Sequence, residues 1–233
     1  MPHTTPIEIG SDHDWDDVSV GSGMACGLRT GGRLYCWGSP DHGAPPTSNP
    51  LGPNVLLQPT LIEGTWTAIA SHWYATMAIR DDGSLWATTN DGKFVHLDEV
   101  EGSAARVSVG PLYSLMVNVG GGLSRIKIIF GDEDDAIQEP ETSGVVFGGA
   151  VATAYGSCAI SADGSMYCGD EHSEDPPHLA PLGDDHHDWM TVGVGTGFAC
   201  GSRKDGSIWC WGTLSSQPGG PKADYGALPQ RVE

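Results

Sequence analysis

The residues of this chain best placed to do chemistry are six cysteines in three pairs of one spacing, Cys26/Cys36, Cys158/Cys168 and Cys200/Cys210. Thiols in such pairs can form a disulfide, contribute to a zinc site, or lie buried and free. The intervening stretch is longer than the short knuckle with which zinc ribbons hold their metal. A second cluster is Asp184-Asp185-His186-His187-Asp188, matched near the start of the chain by Ser11-Asp12-His13-Asp14. Imidazoles among carboxylates suit Zn²⁺, Ni²⁺ or Cu²⁺. His13, Asp14, His186, His187 and Asp188 are therefore a candidate metal set, with a solvated acidic loop as the other reading. Asp12, Asp14 and Asp16 also have the spacing that opens a calcium loop, but Asp17 stands where that loop needs Gly and Gly23 where it needs Glu. Gly131-Asp132-Glu133-Asp134-Asp135 reads as a solvated acidic turn. Trp73 beside Tyr74 is the candidate for an exposed aromatic ligand platform, against packing in a core or rim.

Nucleophilic and phosphate-handling patterns do not accompany these clusters. There is no Gly-x-Ser-x-Gly elbow, and no glycine-rich loop follows a strand and opens a helix. With the cysteines committed to pairs, no thiol is left to attack a substrate. The expectation is a non-catalytic protein that needs no cofactor.

The elements that must position these residues are copies of one unit. Trp15-Asp16-Asp17-Val18-Ser19-Val20-Gly21 leads to Cys26, Gly32 and Cys36-Trp37-Gly38, and Trp189 through Gly195 leads at the same spacing to Cys200, Gly206 and Cys210-Trp211-Gly212. The frame fits three more times, from Trp66, Ala104 and Phe147, so the five starts are 51, 38, 43 and 42 residues apart. Gly recurs seventeen residues after each start, as Gly32, Gly83, Gly121, Gly164 and Gly206. Self-similarity at this period marks a repeat architecture. Within a copy, Val18/Val20, Val107/Val109 and Val192/Val194 alternate with other residues at the period of a strand.

The recurring Gly places a hairpin. Asp-Gly-Ser in the second, fourth and fifth copies suits a short loop closed by a left-handed glycine. Such a loop sets Leu28 opposite Leu34, Ile79 opposite Leu85, Val117 opposite Leu123 and Ile160 opposite Met166, all apolar pairs. The same register opposes the two cysteines of each pair, within disulfide reach. Disulfides of this kind persist in oxidising surroundings, which points to a secreted, extracellular or cell-surface protein.

Charge narrows the partners. Thirty acidic residues against eleven Lys and Arg leave a formal charge of −19. A nucleic-acid binder needs a basic face, and an anionic membrane surface repels this composition. No apolar run approaches the ~18 residues of a membrane helix. Met1 to Pro6 has no signal-peptide pattern, so a secreted chain would be numbered here from a mature or engineered end. The 34 Gly and 16 Pro suit many short strands joined by turns.

Trp15, Val18, Gly21, Cys26, Gly32 and Tyr35-Cys36-Trp37-Gly38, with their counterparts through Trp211-Gly212, resemble the RCC1-like repeat (regulator of chromosome condensation). The Pro-x-x-Ile/Val steps Pro6–Ile9, Pro59–Ile62 and Pro229–Val232 belong to the same pattern. The resemblance covers essentially the whole chain and implies a β-propeller, about one four-stranded blade per repeat. Its cysteine-bearing form is similar to secreted bacterial members. The family's usual His is replaced by Met24, Tyr113 and Phe198, and its Asn-x-x-Gly-Gln-Leu-Gly ending is reduced to Ser39-Pro40-Asp41-His42-Gly43. Nucleotide-exchange and chromatin roles of the nuclear member are therefore not carried over.

The sequence thus predicts an all-β, five-bladed β-propeller built from RCC1-like repeats with intra-blade disulfides, one domain over 1–233. Its expected role is non-catalytic binding of a protein partner through a loop-lined face, with self-association through terminal strands as a further possibility. A lectin-like or metal-binding module is the alternative, and an enzyme the third. Pro6–Ile9 and Pro229–Val232 offer one strand more than a closed ring needs. In a closed ring, the loops bearing His13 and His187 would share a rim.

Overall fold

The computed structural model describes residues 11–21, 23–38, 56–72, 75–88, 93–111, 113–129, 135–140, 144–153, 156–170, 179–195, 197–215, 222–224 and 226–232. Among them there is no helix. Twenty-one strands form five antiparallel sheets, one per repeat. Blade 1 is β1 (Trp15–Val20), β2 (Met24–Arg29), β3 (Arg33–Gly38) and β4 (Leu56–Ile62). Blade 2 is β5 (Trp66–His72), β6 (Ala75–Arg80), β7 (Leu85–Thr88) and β8 (Phe94–His96). Blade 3 is β9 (Ala104–Val109), β10 (Ser114–Asn118), β11 (Leu123–Ile129) and β12 (Asp135–Pro140). Blade 4 is β13 (Phe147–Thr153), β14 (Gly156–Ser161), β15 (Met166–Asp170) and β16 (Ala180–Pro181). Blade 5 is β17 (Trp189–Val194), β18 (Phe198–Arg203) and β19 (Ile208–Ser215), with β20 (Lys222–Asp224) and β21 (Gln230–Arg231) both paired to β19. The architecture is that of a β-propeller with strands in sequence order in each blade.

The hairpin glycines account for the register. Gly32, Gly83, Gly121, Gly164 and Gly206 all have φ between +76° and +89°, the left-handed conformation that a side chain disfavours. The loop they close pairs Leu28 with Leu34, Ile79 with Leu85, Val117 with Leu123 and Ile160 with Met166, as the sequence predicts. Two residues further on, Cys26 meets Cys36, Cys158 meets Cys168, and Cys200 meets Cys210. All three pairs are disulfides with Cα atoms 4.1 Å apart, and no described cysteine is free.

Blades pack on one another through one recurring junction. The first strands touch in series, β1 on β5, β5 on β9, β9 on β13 and β13 on β17, so they line the middle of the array. Each later blade opens with a residue whose N–H donates to the hairpin glycine of the blade before. Trp66 donates to Gly32, Ala104 to Gly83 and Phe147 to Gly121 at 2.8 Å, and Trp189 to Gly164 at 3.1 Å. The apolar hairpin pairs then lie under the next blade: Cys26, Leu28, Leu34 and Cys36 under Trp66 and Ile69, and Cys158, Ile160 and Met166 under Trp189 and Trp211.

One of the two terminal steps has a described place in the fold. β21 pairs Arg231 with Trp209 and Gln230 with Cys210, the place that β4 takes in blade 1, where Leu61 meets Tyr35 and Thr60 meets Cys36. The C-terminal step is thus the outer strand of its own blade and is not a surplus strand. The Pro6–Ile9 step lies outside the described residues. Among the described residues, the junction bond between Trp15 N–H and Gly206 C=O is not made.

Candidate functional site

Because the four strands of a blade alternate in direction, the propeller has two unlike faces. Connections from first to second and third to fourth strands share one face, the loop face. The hairpins and the links between blades share the other.

Trp73 and Tyr74, the candidate ligand platform of the sequence, lie outside the described residues. On the loop face, blades 4 and 5 leave a crevice of about 140 Å³ bordered by Gly156, Cys158, Cys168, Val194, Phe198 and Trp211. An aromatic edge, a disulfide and two glycine-rich turns give it an apolar wall with open backbone. It suits insertion of an apolar side chain from a partner. The sequence reading named Phe198 only as a replacement for the family's usual His and not as a site residue.

The candidate metal residues sit on the hairpin face, in links between blades, and the structure places them with other partners. Asp14 accepts from Arg29 Nε at 2.6 Å and from Arg33 at 2.7 Å, which holds its carboxyl below the usual carboxylate range, the Arg29 hydrogen bond being the main cause. His187 Nδ1 lies 2.5 Å from Ser165 Oγ and 3.4 Å from Asp163. His186 tilts over Trp209, with ring centroids 6.1 Å apart. Asp188 is 3.7 Å from Arg203 Nε. His13 belongs to the link that precedes blade 1, while His187 lies at the junction of blades 4 and 5. Among the described residues no three His, Cys, Asp or Glu side chains gather to hold a metal ion.

A cleft of about 620 Å³ opens across the first strands of blades 1 to 3, bordered by Asp16, Asp17, Arg29, Thr67 and Arg106. Asp16 and Asp17 are exposed, and Arg106 donates to the Gly148 carbonyl at 3.1 Å. The cleft mixes signs of charge and has no buried nucleophile or base. Its chemistry is polar recognition. A third cleft of about 500 Å³ lies over Glu99, Glu101, Asn118, Ser124 and Gln138, and there Gln138 closes a two-way amide pair with the backbone of Glu101.

One recurring residue escaped the sequence reading. Fourteen residues after the frame start, Arg29, Arg80 and Arg203 lie between the opening Trp and an aromatic of the third strand. The guanidinium of Arg203 is 4.8 Å from the Trp189 ring and 4.0 Å from Trp209. That of Arg80 is 5.0 Å from Trp66 and 3.9 Å from Trp86. Cation–π contact is strongest where water is excluded, and the Arg203 side chain is only 6% exposed. The signal was one column of Arg in three of five copies. These arginines brace the blades.

The blades, their order and their junctions define a β-propeller. Residues 15–44 match the family described as the Regulator of chromosome condensation (RCC1) repeat. Among solved structures, human WBSCR16 superposes with a TM-score of 0.72 at 12% identity, covering 96% of this chain and 68% of that one. Prp20p from Saccharomyces cerevisiae, studied for its binding to Gsp1p and histones, gives 0.68 at 14% identity over 91% of this chain and 61% of that one. A structure of Kap60 bound to yeast RCC1 (Prp20) gives 0.65 at 13% identity, over 91% and 59%. The chain therefore spans about three fifths of the yeast proteins' length. No curated protein matches its sequence. Among the described residues no helix is long and apolar enough to cross a membrane.

Proposed function

We propose that this propeller is a non-catalytic binding module that recognises a protein partner through its loop face, outside the cytoplasm. The observation that carries the reading is the crevice between blades 4 and 5, an apolar socket of Val194, Phe198 and Trp211 on a rigid base. Binding residues set on loops over a fixed scaffold are the usual arrangement for partner recognition. Yeast structures of the same fold were determined for Gsp1p, histone and Kap60 binding, which supports a protein partner as the class of ligand. The three disulfides support an oxidising compartment.

The test is site-specific photo-crosslinking in the native host. A benzophenone side chain at Phe198 is expected to trap a discrete protein, and one at Asp82 on the hairpin face is not. Equal labelling from both sites, or saturable glycan binding that competes with the Phe198 adduct, would replace this reading with a lectin-like one.

A further inference from the structure

Nine residues after the frame start, at the entry to the second strand, the five blades carry Met24, Ala75, Tyr113, Gly156 and Phe198. In blades 1 to 3 that side chain helps to cover the junction with the next blade. Met24 packs on the cluster that holds Trp66 and Ile69 of blade 2, and Ala75 on the one that holds Val109 of blade 3. Tyr113 is 7% exposed and packs in one cluster with Phe147 and Ala159 of blade 4, its hydroxyl 2.8 Å from Ser157 Oγ.

Gly156 brings no such side chain to the junction of blades 4 and 5, and the crevice lies there. A Cβ on Gly156 would sit 3.6 Å from the Gly169 carbonyl and 3.9 Å from Val194, ordinary contact distances to two residues of the crevice border. The crevice is thus the junction of blades 3 and 4 repeated without its tyrosine side chain.

The tip of that side chain meets different chemistry in the two places. Tyr113 ends on Ser157, ten residues after the start of the blade-4 frame. The same place in blade 5 is Ala199, 4% exposed and also on the crevice border. Ser157 borders the crevice as well, but it is fully buried and its hydroxyl already faces Tyr113. A ring entering here as Tyr113 enters its own junction would end on a methyl group. Burying a phenol with no partner for its hydroxyl costs free energy that a phenyl ring does not lose.

Charge selects what flanks the ring. Gly156 is paired with Asp170 across the sheet, and Thr213, the residue after Gly212 on the crevice border, is paired with Asp224. The whole chain carries −19. Cationic neighbours of the entering residue complement that charge.

We propose that the crevice between blades 4 and 5 receives one phenylalanine side chain of the partner, set between Lys or Arg residues, in the place that Gly156 leaves open. The proposal rests on the loop face binding a protein and names the residue that enters. Gly156 makes the socket, and Ala199 sets its preference for a ring without a hydroxyl.

Acetylated peptides Lys-Lys-X-Lys-Lys with Phe, Tyr or Ala at X test it, titrated into the full chain and followed by the methyl NMR signals of Val194 and Ala199. The Phe peptide should bind about tenfold more tightly than the Tyr peptide. The Ala peptide should not saturate. Glu-Glu-Phe-Glu-Glu should bind more weakly than its Lys counterpart, and the gap should narrow as salt is raised. Ala199→Ser supplies the hydroxyl that Ser157 offers Tyr113, and should move the preference about tenfold toward Tyr. Gly156→Phe supplies the ring from the chain itself, and should abolish binding without lowering the melting temperature. Equal binding of the Phe, Tyr and Ala peptides, or binding of none of them because the chain's own loop residues fill the crevice, would overturn the proposal. So would an Ala199→Ser chain that keeps the parent's preference, or a folded Gly156→Phe chain that binds as the parent does. Any of these results together with a Phe198 crosslink to a protein would remove the phenylalanine anchor and leave loop-face recognition standing.

Discussion

Single residues carry more here than their chemistry suggests. Arg203 fills the space between Trp189 and Trp209 and pairs with Asp184, itself only 12% exposed and accepting the Trp189 indole N–H at 3.0 Å. Arg203→Ala should cost about 2–3 kcal/mol, because it removes the stacking body and strands a mostly buried carboxylate. Arg203→Lys should recover little, since an ammonium keeps the charge but not the planar fork. Chemical denaturation of both variants reads this out, and full rescue by Lys would show that charge alone matters. Gly164 and Gly206 have φ of +89° and +80°, so Ala at either pays a left-handed cost of about 1 kcal/mol. Only Gly164 has a backbone neighbour at 2.4 Å from the added Cβ. In dilute protein Gly164→Ala should therefore lose about 1–2 kcal/mol more than Gly206→Ala, the excess being overpacking. Equal losses would contradict the junction.

The hairpin is the element in which sequence and structure agree most closely, and the reason is local. A glycine that must be left-handed fixes loop length, loop length fixes register, and register fixes which cysteines meet. Non-reducing peptide mapping should recover Cys26–Cys36, Cys158–Cys168 and Cys200–Cys210 and no bridge between repeats. Replacing both members of a pair by Ala should cost about 2–3 kcal/mol, as expected for a short closed loop. The same turns tune their own carboxylates. Asp163 is lowered to about 2, chiefly by the Ser161 hydroxyl and then by the backbone N–H of Ser165. The Ser84 and Ser207 hydroxyls lower Asp82 and Asp205 in the same way. A carboxylate depressed in the folded state stabilises above its unfolded pKa, near ~4, and that support fades as pH falls toward 2. The melting-temperature gap between the parent and Asp163→Asn should be widest near neutral pH and close as the pH drops from 4 to 2. A gap constant across that range would show that charge at this turn does not matter. The link segments were less legible. His13 and His187 hold equivalent places in the repeat, but spacing could not say that His187 meets Ser165 and Asp163 across a blade junction. Likewise Asp14 reads as a ligand until Arg29, fifteen residues on, is seen to bind it.

At the scale of the whole molecule, five repeats, five blades and their order were readable because every copy repeats the same hydrophobic columns. Closure was not, because it depends on small angles summed over four junctions, which no column of residues encodes. The Pro229–Val232 step illustrates this: its pattern marks an outer strand, yet only the pairing of Gln230 with Cys210 shows whose strand it is. The account rests on a junction made four times between successive blades. Amide hydrogen exchange in dilute protein tests it directly, at the opening residues Trp15, Trp66, Ala104, Phe147 and Trp189. The last four should be strongly protected, and Trp15, which makes no such bond among the described residues, should exchange fast. Protection of Trp15 equal to the others at high dilution, or rapid exchange at all five, would contradict the account.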